Sequence, residues 1–509
     1  MLAKVPGGAV LGIDGYPVCV EVDVSAGLPS FEVVGLPDAA IREARERVRA
    51  ALRNSGFEFP LRRITVNLAP AMIRKEGACF DLAIALGILA ATGEISSSAV
   101  EDCVFAGELS LDGQVRGTSG VLSIALAARS AGFTMMMVAS ENAGEAALVD
   151  GLDVYGVNTL VEAVGHLCGS LRISKTPATR GFADASLQFE EDLDFADVLG
   201  QDQARRALEV AAAGGHNVLM VGPPGAGKTM LARRIPSVLP PLTWDEALEV
   251  TRVYSAAGLL PAGTSVVSTR PFRSPHHTIS APGLIGGGRV PRPGEISLAH
   301  RGVLFLDEIP EFAGHALEAL RQPLEDGFVT VSRAGGMATF PARFMLVAAM
   351  NPCPCGRGGA RSGVCTCTPT AVQKYLARLS GPLLDRIDLH IHVRKVDMND
   401  LEQARGRETS AEIRERVVRA RQTQQARFGG LPVRANAEMR PSELRAFCRM
   451  SREARTLLYA ACARLGLSAR AHARVLKVAR TIADLEGSDL VQDQHISEAV
   501  SYRAFSLRG

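Results

Sequence analysis

The octapeptide Gly222-Pro223-Pro224-Gly225-Ala226-Gly227-Lys228-Thr229 follows the apolar run Asn217 to Val221 and precedes a helical stretch from Met230 to Ile235. A glycine-rich loop between a strand and a helix turns backbone N–H groups inward around phosphate oxygens, and the helix aims its positive end at the same charge. In that frame Lys228 reaches the β and γ phosphates and Thr229 offers a hydroxyl to Mg²⁺, so the motif predicts an ATP site. A bound metal also needs a carboxylate. The run Gly302-Val303-Leu304-Phe305-Leu306 ends in Asp307-Glu308, where Asp307 suits the Mg²⁺ shell and Glu308 suits polarising the attacking water. A third apolar run, Phe344 to Met350, ends at Asn351, whose amide would orient that water; an Asn before Pro352 is also a common turn former. Three strands ending in complementary groups on one sheet edge favour the catalytic reading.

Directly after Asn351, Cys353-Pro354-Cys355 and Cys365-Thr366-Cys367 place four cysteines within 15 residues, flanking a Gly-Arg-rich loop. Four thiolates suit a tetrahedral structural Zn²⁺, with free thiols or a redox pair as the alternative. The other six cysteines are scattered and read as small core residues. Two segments are candidate polymer grips. The stretch Phe272 to Pro293 is rich in Gly, Pro, His and Arg without core periodicity, and Phe328 to Phe340 reads as a hairpin with Arg333 at its tip. Arg289, Arg292 and Arg333 would hold phosphates without reading bases, whereas His276 and His277, lacking a third clustered ligand, read as hydrogen-bonding loop residues.

These groups need scaffolds, and the 509-residue chain is long enough for several. Residues 1–170 alternate short strands, such as Pro17 to Val24 and Arg63 to Leu68, with helices over Asp38 to Asn54 and Asp81 to Ala91, an α+β pattern. Residues 171–190, with little periodicity, read as a linker. From 191 to 395 apolar runs alternate with helices, the signature of a doubly wound α/β domain, and 396–509 read as a helical lid.

Composition narrows the partners. One Trp and six Tyr argue against aromatic base-stacking platforms, so a nucleic-acid grip would be electrostatic. The net charge of +2 hides a basic tail: residues 401–509 carry 20 Arg plus Lys against 12 Asp plus Glu, a balance of +8 that leaves −6 for the remainder. The apolar run Leu82 to Thr92 falls far short of the roughly 20 residues that span a bilayer. The first twenty residues lack a sustained apolar core, so a cytoplasmic location with reduced or metal-bound thiols is expected.

Longer runs carry a resemblance. They include Gly27-Leu28-Pro29-Ser30-Phe31, Val34-Gly35-Leu36-Pro37-Asp38, Lys75-Glu76-Gly77 with Phe80-Asp81-Leu82, Phe272-Arg273-Ser274-Pro275-His276-His277-Thr278, Pro291 to His300, and Ser380 to Asp388. With them the chain resembles the magnesium-chelatase-like AAA+ ATPases known as ComM or YifB along its whole length. The resemblance implies an α/β multidomain protein: a Lon-protease/ribosomal-S5-like N-terminal domain, an AAA+ core and a helical lid. It further implies a hexameric DNA helicase that drives branch migration during recombination in natural transformation. By the same resemblance, Arg386 would enter the neighbouring subunit's site to meet γ-phosphate charge. Arg470 would sense nucleotide within its own subunit, with Arg474 as the alternative.

Two rivals remain. A magnesium-chelatase-type motor subunit acting on a protein partner shares the core but not the cysteine cluster or the long N-terminal domain. A Lon-type protease needs a Ser activated by Lys; Gly77-Ala78-Cys79-Phe80-Asp81 offers Cys79 at the corresponding stretch without a visible base.

Overall fold

The computed structural model describes residues 1–71, 75, 77–178, 181–182, 193–261, 263–288, 291–333, 336–358, 365–395 and 408–503. Near the start, strands Leu2–Leu11 and Asp14–Ser25 form a long antiparallel hairpin paired from Leu2↔Asp23 to Leu11↔Asp14. Val18, Val20, Val22 and Val24 alternate into the core with a period of two. The hairpin sits within a seven-stranded mixed sheet, whose order in space is Ser30–Val34, Arg63–Ala69, Asp14–Ser25, Leu2–Leu11, Cys103–Ala106, Met135–Ala139 and Asp153–Val157. Helix Ala39–Asn54 starts where Asp38 caps it, its carboxylate accepting from Ile41 N at 2.8 Å. Helix Asp81–Thr92 is apolar all round and buried from Asp81 to Ala91, the behaviour expected of a helix without a polar face.

The middle of the chain folds on a five-stranded parallel sheet, ordered Phe272–Arg273, Val303–Leu306, Met345–Met350, Val218–Val221 and Leu389–His392. Its three inner strands are buried throughout, as a parallel sheet covered on both faces requires. The glycine-rich stretch read as lacking core character thus begins as an edge strand. Two residues, Phe272 and Arg273, pair with Val303 and Leu304 before the chain leaves the sheet.

Described residues 408–503 contribute helices, principally Ser410–Phe428, Arg452–Leu465, Ala469–Leu485 and Asp493–Ser501. Thr409 and Glu412 form a capping box at the first of these. Among the described residues no helix is long and apolar enough to cross a membrane.

Helix Trp244–Ala257 joins these parts. Leu242, Ala247 and Val250 share a buried cluster with Val121, Leu122, Ala125 and Val149 of the N-terminal region. Glu145 is buried there and accepts from Leu122 N, Asn142 and the Ser255 hydroxyl. Arg252 donates to Ile13 O and pairs with Asp14 at the hairpin turn. On its other side, Glu246 meets Arg270 and Arg434, while Glu249 meets His300 and Arg301. Of the interval read as linker, Thr176 N still bonds Val154 O, and Phe182 meets Trp244 edge-on at 5.7 Å. Positions 183–190 lie outside the described residues.

Candidate nucleotide-binding site

Because the sheet is parallel, its strands deliver their following residues to one edge. There Pro224, Gly225, Ala226, Gly227, Lys228 and Thr229 line a cavity of about 450 Å³ with Met230, Asp307, Glu308, Met350 and Asn351. The loop takes its shape from Gly225 and Gly227, whose φ values of +74° and +89° favour glycine. Gly222 has a different reason: a Cβ there would lie 2.2 Å from Val393 O. Helix Lys228–Val238 then points its N-terminus into the loop.

Within the cavity Lys228 Nζ donates to Gly222 O at 2.7 Å, Pro223 O at 3.0 Å and Asn351 Oδ1 at 3.2 Å. Burial lowers its pKa, against the pull of Asp307 and Glu308. Thr229 Oγ1 donates to Asp307 Oδ2 at 2.7 Å, bringing together the hydroxyl and carboxylate that a Mg²⁺ shell uses. A Cβ built on Gly225 would meet nothing within 4 Å. The donor set fits ATP with Mg²⁺, which would supply charge neutralisation across the phosphates.

Glu308 is exposed and sits at φ +51°, a left-handed conformation uncommon for a residue with a Cβ. The sequence carries no signal for that twist. Gln201 is another residue the motifs miss: it is 4% exposed, and its amide donates to Ala226 O at 3.3 Å and Arg394 O at 2.5 Å. It ties the loop to the chain leaving the last strand. A lone glutamine 21 residues before the motif offers no spacing to recognise.

Beside the cavity the four cysteines converge. Cys353, Cys355, Cys365 and Cys367 place their sulfurs within 4.8 Å of one another, with Cys353–Cys355 at 3.4 Å and Cys353–Cys365 at 3.7 Å. Sulfurs at about 2.3 Å from a tetrahedral zinc lie about 3.8 Å apart, so the set fits a structural Zn²⁺.

Two of the predicted arginines are elsewhere. Leu389–His392 runs parallel to Val218–Val221, and Arg386 precedes its start, at the sheet edge opposite the loop that follows Val221. At least about 10 Å of strand separates the two edges. Arg386 is 5% exposed; it donates to Pro382 O at 2.6 Å and pairs with Glu325, while its Nε finds no partner among the described residues. Arg470 is exposed at the start of helix Ala469–Leu485. The hydrogen bond from Arg386, with the charges of Arg386, Arg470 and Arg321, holds the Glu325 carboxyl below its ordinary range. One turn on, Arg474 bonds Arg386 O and the buried Asp388. Neither Arg470 nor Arg474 is among the residues that line the cavity of its own chain.

The other candidates divide. Arg333 is exposed at the end of hairpin strand Phe328–Arg333, and a Cβ on Gly287 would lie 3.9 Å from its guanidinium, so the two loops are neighbours. Arg292 is exposed, whereas Arg289 lies outside the described residues. The rings of His276 and His277 lie 4.1 Å apart and tilted by 35°, with His276 Nδ1 bonded to Thr278. Cys79 is buried with its thiol pushed up to about 12, chiefly by burial, which removes it as a nucleophile at neutral pH.

Comparison with known proteins supplies the wider frame. Residues 194–401 match the family described as magnesium chelatase, subunit ChlI; residues 20–142 match subunit ChlI of Mg-chelatase, and 407–503 match the ChlI C-terminal region. The competence protein ComM of Haemophilus influenzae is 45% identical over 99% of this chain and 97% of its own. Protein YifB of Escherichia coli is 45% identical over 97% and 96%. The magnesium-chelatase 38 kDa subunit of Rhodobacter capsulatus is 29% identical over only 31% of this chain and 50% of its own. Full-length similarity on one side and partial similarity on the other place the chain in the ComM/YifB family of magnesium-chelatase-like AAA+ proteins.

Proposed function

We propose that the protein is a ring-forming ATPase that moves DNA junctions, a branch-migration helicase serving recombination and natural transformation. The observation that carries the motor reading is the separation of the site into two half-sites: a phosphate cradle at one sheet edge and Arg386 at the other. In a head-to-tail ring, most simply a hexamer, Arg386 of one copy would leave Glu325 and Pro382 O to meet the phosphates held by the next.

Lys228 and the loop N–H groups hold the phosphates, and Thr229 with Asp307 holds Mg²⁺. Glu308 takes the proton of the attacking water while Asn351 orients it, and the neighbour's Arg386 meets the charge that develops on the γ phosphate. Arg470, placed beside Arg386, would act across the same interface. Cys353, Cys355, Cys365 and Cys367 would hold a structural zinc, which would fix the turn after Asn351. Reduced thiols there suit a cytoplasmic protein.

DNA as the object of the motor is supported by full-length similarity to a competence protein and by the exposed Arg292 and Arg333 on adjacent loops. The deciding experiment incubates three- and four-stranded synthetic junctions with the protein and ATP, or with a non-hydrolysable analogue. Strand exchange with ATP alone is expected. ATP hydrolysis indifferent to DNA, with no junction movement, would move the reading to a chelatase-type motor acting on a protein partner, which the partial similarity to the 38 kDa subunit supports.

A further inference from the structure

The cysteine cluster does more than close a loop, because its turn leans on the phosphate cradle. Three contacts connect them. Gly222 N donates to Met350 O at 3.2 Å, so the first glycine of the loop hangs on the strand that leads into the cluster. Asn351 Oδ1 accepts from Lys228 at 3.2 Å, two residues before Cys353. Gly356, inside the cysteine turn at φ +75°, packs so closely on the loop that an added Cβ would lie 2.7 Å from both Cγ and Cδ of Pro224 and 3.9 Å from Asn351 Cγ. Pro224 and Asn351 both line the nucleotide cavity.

The turn is itself organised around the sulfurs. Gly356 N donates to Cys353 O at 2.9 Å, Gly358 N donates to Cys353 Sγ at 3.2 Å, and Cys353 is 1% exposed. A backbone N–H directed at a sulfur is the contact that supports a metal-bound thiolate. Clasping Cys353 and Cys355 to Cys365 and Cys367 therefore fixes Gly356, and Gly356 is what touches Pro224.

We propose that metal occupancy of the four-cysteine site and nucleotide occupancy of the phosphate loop are thermodynamically coupled, the metal-bound turn acting as a buttress that holds Pro224 and Asn351 in their phosphate-binding positions. This rests on the reading that the four cysteines hold zinc. Coupling is reciprocal: if the loaded turn raises nucleotide affinity, bound nucleotide raises metal affinity by the same factor. The site would make ATP binding responsive to zinc supply and to thiol oxidation, which removes ligands.

The test uses the full chain. Elemental analysis first gives zinc per chain, expected at about one. A fluorescent ATP analogue is then titrated into zinc-loaded and chelator-treated protein, with the folded state of each checked by circular dichroism. Treated protein is expected to bind about 10-fold more weakly, within the usual range of site-to-site coupling. In the reverse direction, saturating non-hydrolysable ATP analogue should slow zinc release to a colorimetric chelator. Gly356→Ala, strained by its φ of +75° beside Cys355 and by the approach of its methyl to Pro224, should weaken zinc and nucleotide binding together. If chelation unfolds the protein, zinc release and Gly356→Ala still decide the matter. Absence of zinc, with no uptake on addition, overturns the metal reading itself. Zinc present, with nucleotide affinity indifferent to its removal and to Gly356→Ala and release indifferent to nucleotide, overturns the coupling alone.

Discussion

Glu308 holds a backbone conformation that costs about 1–2 kcal/mol in a residue with a Cβ, and it does so at the one position proposed to act on water. The twist turns the chain sharply after Asp307, so adjacent carboxylates take different jobs: Asp307 bonds Thr229 while Glu308 stays exposed. Glu308→Gln should therefore bind ATP within about twofold of the parent and hydrolyse it about 10²–10⁴-fold more slowly, the usual contribution of a general base. Lys228→Ala should lose binding instead. Titrations with labelled nucleotide beside phosphate-release assays separate the two, and equal loss of binding in both variants would refute the assignment. Gln201 makes a subtler case. Gln201→Ala frees the carbonyls of Ala226 and Arg394, at a cost of about 1–3 kcal/mol if they stay buried. Nucleotide affinity and thermal midpoint should fall together, with the rate of bound ATP turnover little changed.

Strands and helices decide which of these residues meet, and here the reach of the sequence was uneven. The glycine-lysine loop, the acid pair and Asn351 were legible because each ends an apolar run, and a parallel sheet carries all such ends to one edge. The helix from Asp38 was legible from its cap and stripe. What the sequence could not show is where the lid docks, since the amphipathic pattern of Ala469–Leu485 marks a buried face but not the surface that buries it. That surface is helix Asp202–Gly214 together with the start of Leu389–His392. Burial raises the Asp388 carboxyl, but Arg474 and His216 outweigh it and hold the group well below the usual range. Asp388→Ala leaves Arg474 without its carboxylate and should cost about 3–5 kcal/mol, read from urea unfolding. A loss under 1 kcal/mol would show that the lid is held mainly by its apolar face.

At the scale of the whole molecule, if Arg386 serves a neighbouring copy as proposed, hydrolysis per chain should rise with protein concentration until rings are complete. Arg386→Ala should bind ATP normally and hydrolyse it poorly, and mixing it with Lys228→Ala should restore part of the activity, because some interfaces then pair an intact arginine with an intact loop. Additive inactivity in the mixture would rule out sharing. DNA binding through Arg292 and Arg333 should weaken steeply with salt and show little base preference, measured by fluorescence anisotropy across salt concentrations. Finally, helix Trp244–Ala257 is at once a wall of the N-terminal hydrophobic cluster and the carrier of Glu246 and Glu249 for the arginines of the central region. Among the described residues, this helix is therefore fastened to both regions at once. A displacement of the central sheet at the nucleotide would then reach the N-terminal sheet through this helix, the way a crank turns with its shaft.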